Sequence, residues 1–228
     1  MARSRSTELP PPLPPEQRTV GQLVAEAVRL YGRRFWASLA IGIPPAALTV
    51  AVASISRAAG VVLFIAIGGF VLTGSYVAGV VIAHSPPVSF RRLLSAYAIG
   101  VVIFVPFSVL VFVYVLPGLA WLALFGLAVP ATLVEGLGLR AALARGLRLG
   151  RADFVHALGG LCTLAIVVVA SFVLVQFALL NFAENTARVA AFLSGAAISP
   201  ILFLGAAILY EDQRERLAVK VARTPKGV

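Results

Sequence analysis

Charge is scarce in this chain. Asp, Glu, Lys and Arg make up 12% of its 228 residues, against about 25% in a soluble domain, while hydrophobic residues make up 60%. With a mean hydropathy of +0.98 the chain needs lipid for its solvent, which excludes an ordinary soluble domain. It has one cysteine, Cys162, and two histidines, His84 and His156, so neither a disulfide framework nor a Cys/His metal cluster can be assembled. The nine acidic residues are dispersed, which leaves no carboxylate cluster for a metal. A P-loop and a dinucleotide fingerprint are also missing, and neither histidine stands beside a Ser or Cys motif that it could activate. The expectation is a protein that is not an enzyme and takes no cofactor.

Long apolar runs are what the chain has in abundance. Five windows contain no Asp, Glu, Lys or Arg: 35–56, 58–90, 93–134, 154–183 and 189–210. Each is long enough to cross a hydrocarbon core about 30 Å thick at about 1.5 Å per helical residue. The third window, 42 residues over 93–134, would form a helix about 63 Å long, twice the bilayer. Pro117-Gly118 near its middle is a turn signal. Splitting the window there predicts an all-α, polytopic bundle with spans over about 35–56, 60–84, 97–116, 119–135, 154–180 and 189–210.

Basic residues weigh that split independently, because cytoplasmic loops carry an excess of Lys and Arg. With six spans and a cytoplasmic N-terminus, 17 of the 19 basic residues fall inside and only Arg57 and Arg188 outside; with five spans the split is nine against ten. Six spans with both termini cytoplasmic is the expected topology. The net charge of +10 then belongs to loops beside the membrane, where anionic lipid head groups meet it, so nucleic acid is not an expected partner. The first 34 residues hold no apolar run of the length a signal peptide needs, and the content of Ala, Arg and Gly is high. Both fit a bacterial plasma-membrane protein.

Residues 1–17, with Pro10-Pro11-Pro12-Leu13-Pro14-Pro15, read as a disordered or polyproline-like tail. Residues 217–228 read as a basic tail, with the membrane domain over 18–216. Within 18–34, Val20, Leu23, Val24, Ala27, Leu30 and Tyr31 recur at spacings of three and four, with Gln22, Glu26, Arg29 and Arg33 elsewhere. That pattern fits either an amphipathic helix in the cytoplasmic interface or an extension of the first span. Leu147-Arg148-Leu149-Gly150-Arg151 before the fifth span echoes Leu30-Tyr31-Gly32-Arg33, and Ser89-Phe90-Arg91-Arg92 stands before the third. A threefold repeat of basic segment and helical hairpin would account for all three. Arg29, Arg33, Arg34, Arg148 and Arg151 are accordingly expected at anionic lipid head groups.

Inside the spans there is no charged residue, which argues against an ion-coupled pump of the ordinary kind. Glu135 and Asp153 fall at span ends, and Glu135 is expected to form a structural clamp with Arg140 or Arg145. Pro44-Pro45, Pro106, Pro130 and Pro200 interrupt spans and free backbone carbonyls, as ordinary kinks or as the lining of a cavity. Ser75-x-x-x-Gly79 and Gly195-x-x-x-Ser199 offer close helix approach, read first as packing within the chain. Thr73, Tyr76, Tyr114, Thr163, Ser171 and Gln176 do not converge in the sequence on any site.

Pro130, Glu135, Ala141, Ala142, Arg145 and Leu149 form a P-x4-E pattern followed by Ala, Arg and Leu on the next helix, and the chain closes on Leu209-Tyr210-Glu211-Asp212-Gln213-Arg214-Glu215-Arg216, an L-Y-x-D-x-R-x-R ending. Both resemble bacterial six-helix membrane proteins related to the membrane domain of glycerophosphoryl diester phosphodiesterase and to allied families of unknown function. The resemblance covers most of the chain and implies a membrane module serving a partner enzyme. It carries over no catalytic residue, since the phosphodiesterase's metal-binding acids and histidines belong to a separate soluble domain. The expected function is a non-enzymatic scaffold or regulatory module for a protein partner; the alternative is a small-molecule or lipid transporter.

Overall fold

The computed structural model describes residues 18–86 and 89–223; the proline-rich segment 1–17 and the last residues, 224–228, lie outside the described residues. Among those described there are ten helices: α1 (Val20–Arg33), α2 (Phe35–Ala53), α3 (Arg57–His84), α4 (Phe90–Val113), α5 (Val115–Phe125), α6 (Ala128–Glu135), α7 (Leu139–Ala152), α8 (Phe154–Ala178), α9 (Glu184–Ile198) and α10 (Pro200–Arg223). Six stretches are long and apolar enough to cross a membrane: α2, α3, α4, α5 with α6, α8, and α9 with α10. The chain is an all-α, multi-pass membrane protein.

The two remaining helices, α1 and α7, are each 14 residues long and stand directly before a span. A single non-helical residue makes each bend, Arg34 at φ −128°, ψ 45° and Asp153 at φ −145°, ψ 80°. The start of α1 is fixed by a reciprocal capping box, with Gln22 N–H donating to Thr19 Oγ1 and Thr19 N–H donating to Gln22 Oε1 at 2.8 Å. Its apolar stripe, Leu23 and Ala27 above all, is buried against α8 and α10. No such helix precedes α4 among the described residues, so the segment at Ser89 has only its basic pair in common with the other two.

One reversal lies elsewhere than its sequence signal. The turn expected at Pro117-Gly118 is made by Tyr114, extended at φ −153°, ψ 129°. Pro117 stands instead in the first turn of α5, where a missing N–H costs no helical hydrogen bond. Gly118 lets α5 press on α4: a Cβ there would meet the Phe107 ring at 3.3 Å and the Val111 backbone at 3.4 Å. The third span accordingly opens at Phe90, capped by Ser89, rather than near 97. At the other end, α10 continues to Arg223, so residues 217–223 are helix rather than tail.

The core is arranged around α10. Its Phe203, Leu204 and Ala207 pack with Val80 of α3, Ile99 and Ile103 of α4 and Val129 and Leu133 of α6. Its Ile208, Leu209 and Tyr210 pack with Leu23 of α1, Ala123 of α5, Leu149 of α7 and Leu161 and Leu164 of α8. One helix thereby joins two apolar clusters.

Two of the carbonyls that prolines free in the spans are met by neighbouring helices, as hydrocarbon favours for a freed backbone group. Pro45 cannot donate to the carbonyl of Ile41, and Ser75 Oγ of α3 donates to that carbonyl at 3.0 Å. Pro200 likewise frees the carbonyl of Ala196, which lies against Gly42 so closely that a Cβ would stand 2.0 Å from it. Gly79 meets the Phe203 backbone, and Gly195 meets Ala46. Both small-residue pairs therefore serve packing within the chain. Tyr76 Oη donates to Ala206 O at 3.4 Å and Trp121 Nε1 to Ile103 O at 2.9 Å, while Thr73 Oγ1 donates to Gly69 O within its own helix.

Antiparallel spans place the Tyr114 turn at the opposite membrane face from the end of α10. A topology reporter fused after residue 114 and one fused after 223 are expected to score on opposite sides. The same side for both would break the six-span fold.

Candidate functional site

Polar side chains converge where α10 leaves the apolar core, at Tyr210 to Arg216. Two networks form there, on the face that also carries α1, α7 and the loop before α4; this is the basic face of the bundle.

The first network is centred on Glu135, the last residue of α6. Gly136 ends that helix in the left-handed region at φ 72°, and its N–H donates to Thr132 O. The carboxylate accepts from Arg145 Nε at 3.0 and 3.1 Å, from Arg145 Nη2 at 3.0 Å and from Tyr210 Oη at 2.6 Å. The Glu135–Arg145 clamp is therefore present and Arg140 is not part of it. The register of α7 gives the reason. Ala142, Gly146 and Leu149 face inward, Arg145 shares their side three residues from Ala142, and Arg140, two residues before Ala142, points away and is exposed.

His84, at the end of α3, extends this network. Its ring stands edge-on to Tyr210 with centroids 5.6 Å apart, Nε2 is 3.0 Å from Ala207 O, and Nδ1 is 3.3 Å from Glu211 Oε1. Both ring nitrogens thus face oxygen atoms of α10. Arg214 lies 3.6 Å from the other oxygen of Glu211.

The second network surrounds Asp212, whose side chain is fully buried. Arg18 Nη1 donates to Asp212 Oδ1 at 3.0 Å, and His156 Nε2 of α8 lies 3.7 Å from Oδ2. Asp153 caps α8 by accepting from His156 N–H at 3.1 Å and accepts from Arg216 Nη1 at 2.7 Å. Arg216 Nη2 donates to Arg18 O at 2.9 Å, and Gln213 Nε2 to Asp153 O at 3.2 Å. The adjacent acids Glu211 and Asp212 thus meet the chain's two histidines on two different helices.

Of the arginines expected at lipid head groups, Arg29 and Arg33 pair with Glu26 at 3.5 and 2.9 Å while remaining exposed. Arg34, Arg148 and Arg151 are exposed and have no ion-pair partner among the described residues, a position Arg91 and Arg140 share. Sequence reasoning did not find the roles of Arg18, His84, His156 or Asp212, whose partners lie far along the chain. The L-Y-x-D-x-R-x-R ending was the available signal, since Tyr210, Asp212, Arg214 and Arg216 all enter the networks.

Chemically the arrangement holds helices together. Cys162 lies on α8 away from these networks, and among the described residues no three His, Cys, Asp or Glu side chains gather to hold a metal ion. No family model, curated protein or solved structure matches the chain.

Asp212→Asn leaves Arg18 without its charge partner in a buried setting and is expected to cost about 2 kcal/mol of stability. Arg57→Gln, at the exposed start of α3, is expected to cost under about 0.5 kcal/mol. Thermal unfolding in detergent compares the two, and equal losses would deny the Asp212 network its role.

Proposed function

We propose that this protein is a non-enzymatic membrane module that scaffolds or regulates a protein partner at its basic face. The observation that carries the reading is the division of labour there. The acidic side chains of Glu26, Glu135, Asp153, Glu211 and Asp212 on that face are engaged by arginines and histidines of the chain itself, whereas Arg34, Arg91, Arg140, Arg148 and Arg151 stand exposed without such partners among the described residues. The surface left over is a cationic platform, suited to an acidic partner and to anionic head groups. With 17 basic residues assigned to this side, we infer that it faces the cytoplasm of a bacterial plasma membrane.

The resemblance to the membrane domain of glycerophosphoryl diester phosphodiesterase belongs to the same proposal and names an enzyme as the kind of partner. Supporting it, Glu135, Arg145, Tyr210, Asp212 and Arg216 of the two resembling segments are the residues that clamp the helices. The transporter reading draws on the proline breaks, but the carbonyls freed by Pro45 and Pro200 are met by Ser75 and by the close approach of Gly42.

Crosslinking in native membranes followed by affinity purification tests the proposal. A defined partner is expected with the wild-type chain, with recovery falling about tenfold or more, about 1.4 kcal/mol, when Arg140, Arg148 and Arg151 are all changed to Gln. Recovery of the protein alone, in every detergent and lipid tried, would overturn it.

A further inference from the structure

The bundle carries a groove of about 640 Å3 between α2, α3 and α4, open on its outer side and lined by apolar residues that include Ala37, Ala40, Ile41, Ala78, Leu94 and Tyr97. Its size lies within the range of about 300–1,000 Å3 usual for ligand pockets. All three helices present it with the part nearest the basic face: the first turns of α2 and α4 and the last turns of α3. It is therefore set in the leaflet on that side and opens toward lipid.

The polar end of the groove is cationic. Arg34, the bend residue directly before α2, stands three residues before Ala37 and so beside the end of the groove nearest the basic face. On α4, Arg91 bears the same relation to Leu94. Both arginines are exposed without ion-pair partners among the described residues. Trp36, 78% exposed and one turn before Ala40, and Phe90, 80% exposed at the start of α4, flank this end as interfacial aromatics do.

From this juxtaposition we propose that the groove binds one anionic diacyl phospholipid of that leaflet, with an acyl chain along the apolar walls and the phosphate between Arg34 and Arg91. The apolar walls supply affinity for any chain, and the two guanidinium groups supply the preference for net negative head groups. The inference rests on the membrane assignment and the groove and needs no protein partner, so a failed partner capture leaves it standing.

The chain has two tryptophans, and Trp121→Phe leaves Trp36 as the sole reporter. The full chain is placed in phosphatidylcholine nanodiscs with increasing brominated phosphatidylglycerol or brominated phosphatidylcholine. Half-quenching of Trp36 is expected at a mole fraction about tenfold lower for phosphatidylglycerol. Arg34→Gln with Arg91→Gln, both on the surface, moves that curve onto the phosphatidylcholine one, and so does Ala40→Phe, which fills the groove and keeps the arginines. Equal quenching by the two lipids in the parent protein would overturn the proposal. A head-group preference that survives Ala40→Phe would overturn the groove as its seat.

Discussion

The fold depends on how α10 crosses from hydrocarbon to water. Up to Ile208 and Leu209 the helix buries apolar residues against both core clusters; from Glu211 to Arg216 it presents an acid, an amide or a base at every position. Charges so close to lipid are costly unless paired. The pairs come from helices far apart in sequence: Arg18 before α1, His84 of α3, Glu135 of α6, Arg145 of α7, and Asp153 with His156 around α8. Pairing the charges of this one helix segment therefore gathers the basic face of the bundle.

The cost of leaving a backbone group alone in lipid also shapes two of the proline breaks in the spans. Proline removes a donor, and the chain replaces it with a hydroxyl from the next helix, as Ser75 does for Ile41 O, or with close backbone approach, as Gly42 does for Ala196 O. These substitutes work only at one relative placement of the helices, which ties α2 to α3 and to α9. At Pro45 and Pro200 the break itself helps to fix the packing.

Much of this was legible in advance, for identifiable reasons. Apolar windows and basic loops locate six spans because hydrocarbon thickness and charge placement are properties of local sequence. The Tyr114 turn was not legible, because Pro117 in the first turn of a helix carries the same letters as a proline in a turn. The clamp on Glu135 could be narrowed to two arginines, and choosing Arg145 required knowing that α7 begins at Leu139. His84 and His156 looked isolated because their carboxylate partners, Glu211 and Asp212, are brought to them by tertiary structure alone. The groove beside α2 was invisible for a related reason: its walls are ordinary lipid-facing residues, and only their arrangement makes a concavity.

If the end of α10 is what gathers the basic face, its residues must be energetically coupled to the helices they touch. The most direct measurement is a double-mutant cycle between Tyr210→Phe and Glu135→Ala, read by equilibrium unfolding in lipid or detergent. The 2.6 Å hydrogen bond between them predicts a coupling of about 1–2 kcal/mol. Losses that add within about 0.5 kcal/mol would contradict the account.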